Sequence, residues 1–238
     1  MNYKDIFAKL CGIAPIELSD KLVKLEDGYD NSGIIVGNNG NINKILFCLD
    51  LTCESVKAAI KVNADMIVTH HPAIYRPVKA VAENSPLYEC IRNNIAVISM
   101  HLNLDCAQEG IDYYFAEGLG GKITEITMNS YKWSRDTLAN GLFNKKEGLH
   151  NVTAKDLARR YREVFSTDKF WLYGDENKKI ERLASFCGAG LDETAVDEAV
   201  KRGADAVASA DIPHHVLLKA LECGLIVLSC THYATENY

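Results

Sequence analysis

At 238 residues the chain is long enough to bury a sizeable core, either as one large domain or as two small ones. Hydrophobic residues make up 47% and charged residues 24%, an ordinary globular balance, and no apolar run approaches the roughly 18 residues of a membrane span. A net charge of −6 and a pI near 5.7 argue against the basic footprint of a nucleic-acid binder, and Lys4 and Asp5 interrupt the apolar run a signal peptide requires, so a cytoplasmic protein is expected.

In chain order, residues 3–11 predict a short helix with Ile6, Phe7 and Leu10 on one side, and a second helix starts at Pro15, whose fixed φ suits a first turn. Asp30-Asn31-Ser32-Gly33 is a turn signal before a strand at 34–36, and 45–49 is a buried strand. A helix at 52–64 leads into the strand 66–69, an apolar and β-branched run that stops at His70-His71-Pro72 because proline cannot donate to a ladder. A helix at 86–94, a strand at 96–99 and a helix at 108–119 complete a first lobe, residues 1–121, closed by Gly120-Gly121. The second lobe, 122–238, begins with strands around 137–139 and 170–173 flanking a helix at 153–165 capped by Thr153. It then runs strand 184–187, helix 193–202, strand 206–209, helix 214–223 and strand 225–228. This alternation predicts an α/β protein of two similar lobes forming one compact unit, with mixed, mostly parallel sheets flanked by helices.

Eight cysteines occur without a Cys-x-x-Cys pair, most of them in apolar runs, and they read as reduced, structural filler; Cys106 and Cys230 stand beside candidate ligands and are left open.

Comparing the chain with itself reveals a repeat. Shifted by 140 positions, Ala59, Lys61, Ala64 and Asp65 fall on Ala199, Lys201, Ala204 and Asp205, and Val68-Thr69 on Ala208-Ser209. With a small gap Cys90 meets Cys223 and Ser99 meets Ser229. Each copy ends with an imidazole four residues before a carboxylate: His101 and Asp105 in the first, His232 and Glu236 in the second. On a helical turn that spacing puts both groups on one face. His70 and His71 end a strand at the edge where open α/β sheets bind ligands, and each could hold a different ion. Capping of strand ends is the competing explanation. Converging imidazoles and carboxylates suit zinc, iron or manganese. Asp211 is expected to cap the helix at 214, leaving His215 to face solvent or to touch a ligand or substrate.

The combination of Asp30-Asn31-Ser32-Gly33, Thr69-His70-His71-Pro72 with Arg76-Pro77, His101-Leu102-Asn103-Leu104-Asp105, Cys187-Gly188-Ala189-Gly190, Asp211-x-x-His214-His215 and His232-Tyr233-Ala234-Thr235-Glu236 resembles the GTP cyclohydrolase 1 type 2 homologues, the NIF-three-like dinuclear metal proteins. The resemblance spans most of the chain, with Tyr29 in place of the expected tryptophan. It implies two metal ions held by His70, His71, Asp105, His232 and Glu236, in a ring-shaped homohexamer; His101, His215 and Arg76 are expected, from the residues themselves, as outer or substrate-contacting groups. The sequence stops two residues after Glu236, where relatives continue into a closing helix, so the last turn is expected to be loosely held.

Such a pair of ions supports hydrolysis of a nucleotide or other small anionic substrate. No Gly-x-x-x-x-Gly-Lys-Ser loop is present, and the candidate phosphate contacts are Arg76, Lys79 and the amides of 188–190. A non-catalytic metal carrier and a scaffold that has kept only the fold are the alternatives.

Overall fold

Two sheets carry the chain, one in each of two units, Met1–Ala107 and Gln108–Tyr238. The computed structural model describes residues 1–26, 28–119, 122–126, 137–140 and 152–237.

The first unit runs α1 (Tyr3–Ile13), α2 (Ile16–Glu26), β1 (Gly33–Val36), β2 (Ile45–Cys48), α3 (Cys53–Lys61), β3 (Met66–Thr69), α4 (Pro86–Arg92), β4 (Ala96–Ser99) and α5 (Leu102–Asp105). Its strand order is β1-β4-β3-β2, with β2, β3 and β4 parallel and β1 antiparallel on the edge. Every residue of β3 and β4 is buried, because helices cover both faces of the sheet. Side chains alternate between those faces. Met66, Val68, Ala96 and Ile98 pack with Ile6 and Ala14, whereas Ile67 and Val97 pack with Val56, Ala59 and Cys90.

The second unit runs α6 (Ile111–Gly118), β5 (Lys122–Ile126), β6 (Thr137–Asn140), α7 (Ala154–Val164), β7 (Phe170–Tyr173), β8 (Arg182–Ser185), α8 (Glu193–Lys201), β9 (Ala206–Ser209), α9 (His214–Glu222), β10 (Ile226–Cys230) and α10 (His232–Glu236). The order β5-β6-β8-β9-β10-β7 again holds three parallel strands, β8, β9 and β10, with β7 antiparallel on β10. The plan of edge strand, three parallel strands, two crossover helices and a short terminal helix therefore occurs twice.

Hydrogen bonds repeat with it. The Asp65 carboxylate accepts the amides of Asn43 and Lys44 at 2.8 and 3.0 Å, and Asp205 accepts those of Glu181 and Arg182 at 2.8 and 2.9 Å. Each helix of the repeat leaves through a left-handed residue, Asn63 matching Gly203 and Asn94 matching Gly224. That register pairs Cys90 with Ala220, both fully buried, rather than with the exposed Cys223, which ends α9 where Asn93 ends α4. Thr69 with Ser209 and Ser99 with Ser229 hold as expected.

Several boundaries differ from the sequence reading. Strand β8 begins at Arg182 because the Asp205 carboxylate fixes the amides of Glu181 and Arg182, a side-chain contact that hydropathy does not register. Helix α6 packs Phe115 and Leu119 into the core of the second unit, so the division falls at Ala107 rather than at Gly121. Strand β5 pairs with β6 and has no counterpart in the sequence reading. All eight cysteines are free, but only Cys90, Cys187 and Cys230 are buried, while Cys53 and Cys223 sit exposed at helix ends.

Candidate metal centre

Strand β3 delivers two histidines with their backbone still held by the neighbouring strand. The His70 amide donates to the Cys48 carbonyl at 3.1 Å and the His71 amide to Leu49 at 2.9 Å, so the parallel ladder continues to Pro72. The Thr69 hydroxyl donates to the His71 carbonyl at 2.7 Å and lies 2.8 Å from the Ser99 hydroxyl, which accepts the Ala73 amide at 3.0 Å. The turn after the strand is thus fixed by side chains of β3 and β4.

Each imidazole of the first unit is oriented through Nδ1. His70 Nδ1 donates to the Met100 carbonyl at 2.9 Å, His71 Nδ1 to Asp50 at 2.8 Å and His101 Nδ1 to Asp30 at 2.7 Å. A carbonyl or carboxylate only accepts, so Nδ1 holds the proton and the neutral ring carries its lone pair on Nε2. The ligand nitrogens of His70, His71 and His101 lie within 4.8 Å of one another. His70 Nε2 faces the buried Asp105 Oδ1 at 3.5 Å, a nitrogen lone pair against a carboxylate oxygen. Two acceptors so placed call for a shared cation, a proton or a metal ion.

Asp105 thus meets His70 and not His101, contrary to the helical-spacing expectation. His101 precedes α5 with a non-helical backbone (φ −101°, ψ −105°), so the rule that aligns residues four apart on a helix does not reach it. Its ring turns to Asp30 instead. Asp30 also accepts from the hydroxyls of Ser19 at 2.5 Å and Ser32 at 2.6 Å, while Ser32 Oγ accepts the His101 amide at 3.0 Å. Burial opposes the Asp30 charge, but the hydrogen bonds from His101, Ser19 and Ser32 hold the carboxyl well below the ordinary carboxylate range. Asn31 donates to the Ile74 carbonyl at 2.6 Å, tying the segment after Pro72 to the same stretch.

In the second unit the helical spacing does apply. His232 and Glu236 lie on α10, with Nε2 and Oε1 3.0 Å apart, and His232 Nδ1 donates to Asp211 at 2.7 Å. The Glu236 hydrogen bond raises the imidazole most, burial lowers it and Asp211 raises it further, leaving the metal-free ring pushed up to about 9. Gly188 lies against this pair with φ +52°; a Cβ there would overlap Glu236 Oε1 and stand 2.8 Å from His232 Nε2. The last turn is anchored rather than loose. Thr231 caps it, Ala234 is buried, and the Thr235 hydroxyl accepts the Gly188 amide at 2.9 Å while donating to the His232 carbonyl at 2.8 Å.

Asp211 does not cap α9, whose N-cap position is Pro213, because its carboxylate is engaged by His232. His215 is exposed, with its Nε2 3.8 Å from Glu193, and Arg76 and Lys79 are exposed on the segment after Pro72. Cys230 Sγ lies 3.0 Å from the buried Tyr161 hydroxyl, and burial pushes its thiol up to about 11, which disfavours a thiolate ligand. Sequence reasoning did not assign Asp30, Asp50 or Asp211 as imidazole partners, nor the role of Gly188. A usable signal existed for two of them, since Asp50 and Asp211 each stand two residues beyond the end of a parallel strand, β2 and β9.

Imidazoles fixed by acceptors at Nδ1, beside carboxylates, form a group of side chains able to hold a metal ion. A model of the Duf34/NIF3 (NGG1p interacting factor 3) family matches residues 1–238. The GTP cyclohydrolase 1 type 2 homolog of Clostridium acetobutylicum is 31% identical over 219 residues, covering 90% of this chain and 80% of the relative. Its namesake from Methanocaldococcus jannaschii is 26% identical over 215 residues, covering 88% and 82%. Among solved structures, a Staphylococcus aureus protein, SA1388, superimposes with a TM-score of 0.83 at 23% identity, covering 99% of this chain and 87% of that one. Reduced HcgD from Methanocaldococcus jannaschii gives 0.77 at 24% identity, covering 100% and 89%.

Proposed function

The chain belongs to the Duf34/NIF3 family, and from that premise we propose that it is a metal-dependent hydrolase holding two divalent ions on His70, His71, Asp105, His232 and Glu236. The observation that carries the reading is the repeated orientation of imidazoles: His70, His71 and His232 each give Nδ1 to a fixed acceptor and turn Nε2 to the ligand side. When bound, two such ions supply a hydroxide at neutral pH and polarise a carbonyl or phosphoryl oxygen. The chain's own residues do the remaining work. Asp50 and Asp211 keep the His71 and His232 rings in register, Met100 does the same for His70, and Gly188 leaves room for Glu236.

The substrate class is a nucleotide or another small anionic molecule, in keeping with the names of the relatives. Arg76, exposed after Pro72, is the cation we assign to orient it, with His101 and His215 as further outer or substrate contacts. Eight cysteines with no disulfide fit the reducing cytoplasm, and among the described residues no helix is long and apolar enough to cross a membrane. The resemblance further proposes a homohexamer.

The test is hydrolysis of GTP and a panel of nucleotides and sugar phosphates by protein loaded with zinc, manganese or iron(II). Turnover that disappears in Glu236→Ala, with Arg76→Ala raising KM, supports the reading. Two ions bound without turnover of any anionic substrate would favour the carrier alternative.

A further inference from the structure

We propose that Tyr29 and Tyr75 form an aromatic corner that stacks the base of a nucleotide substrate, with Arg76, next in the chain, for its phosphate. The first unit then selects its ligand by a flat ring as well as by charge. The inference deepens the nucleotide reading above and rests on it.

Two observations carry it. The Tyr29 and Tyr75 rings stand with centroids 5.9 Å apart and planes at 87°, an edge-to-face pair. Such pairs stabilise mainly where both rings are buried. Here the two residues are 44% and 49% exposed, so much of both rings faces water. At right angles one ring offers a free face and the other an edge beside it, the two contacts that a third planar ring accepts. The second observation is how the pair is held. Tyr29 immediately precedes Asp30, whose carboxylate accepts from His101 Nδ1 at 2.7 Å, and Tyr75 lies four residues after His71. Asn31 Nδ2 donates to the Ile74 carbonyl at 2.6 Å, and the Ala73 amide donates to the Ser99 hydroxyl at 3.0 Å. Both tyrosines are therefore carried on backbone fixed to the imidazole end of the sheet. A base that enters a corner held in this way pays less ordering entropy than one that must organise a loose loop. Arg76 and Lys79 follow Tyr75 on the same exposed segment, outside helix and strand. A purine nucleotide presents the matching combination of a wide π-face and a nearby anion, whereas a sugar phosphate has no ring to stack.

The experiment uses the full chain as purified and two probes that share ribose and phosphate but differ in the base, GMP and ribose 5-phosphate. Calorimetric titration is expected to give GMP an advantage of about 5–150-fold, the range for one stacked base. Tyr29→Ala and Tyr75→Ala should each lower GMP affinity by at least about fivefold and leave ribose 5-phosphate unchanged. Tyr29→Trp keeps a wide ring at the corner and should preserve the advantage. Arg76→Ala should weaken both probes alike. A pair that only pins the segment after Pro72 would instead lower the urea midpoint in the alanine variants and leave the ratio of the two affinities unchanged, which would overturn the proposal. So would equal affinities for the two probes in the unaltered chain, or no binding of GMP; turnover of sugar phosphates would then leave the hydrolase reading standing. Base-dependent binding without hydrolysis of any nucleotide would sustain the corner and remove the hydrolase.

Discussion

His232 illustrates how a single residue couples protons, metal and stability. In the metal-free protein its pKa is raised from 6.5 to about 9, first by the hydrogen bond to Glu236. A folded pKa above the unfolded one gives stability that is fully present below pH 6.5 and is lost as pH rises through about 9. The urea midpoint of metal-free protein should therefore fall between pH 6 and pH 9.5, and Glu236→Gln should flatten most of that dependence. A ligand must give up its proton, so metal affinity should instead climb across the same window. Gly188 gives a second prediction at this scale. Gly188→Ala forces a Cβ against Glu236 and His232 at φ +52°. We expect a loss of about 1–2 kcal/mol in urea titration from the left-handed backbone, and weaker metal binding by the unaltered ligands.

At the scale of elements, the duplicated strand-helix-strand segment was legible because its apolar runs and its Asp65–Asp205 match survive as sequence. The clasp behind that match was not legible. Asp65 and Asp205 each start a parallel strand by accepting two backbone amides, and the pairing of Cys90 with Ala220 follows only once the left-handed Asn94 and Gly224 are aligned. Asp65→Ala and Asp205→Ala should each destabilise their own unit by about 0.5–1.5 kcal/mol, the net contribution of hydrogen bonds made at a solvent-accessible strand end, as read by urea unfolding with hydrogen exchange mapped to β2 and β8 respectively. Protection lost instead from the other unit's strand would contradict a local role for each carboxylate. Short terminal helices were anticipated as imidazole-carboxylate turns, and α10 is one. Helix α5 is not, because His101 lies before its first turn and turns to Asp30.

Over the whole molecule, the ligand candidates were visible in sequence because they stand beside one another or four apart at the ends of buried strands. Their supports were not. Asp30 reaches His101 across 71 residues, and Asp50 and Asp211 reach His71 and His232 across 21 each. Contacts of that separation exist only after the parallel strands have set their register, so Asp30 looked like a turn residue and Asp211 like a cap. On the proposed function these supports serve metal ions. Its most direct test is elemental analysis of protein purified without chelator or histidine tag, beside His71→Ala and Glu236→Ala. About two equivalents of zinc, iron or manganese per chain are expected, falling in each variant while the fold persists. A chain that holds no metal and takes up none on addition, or variants that retain the full complement, would contradict it.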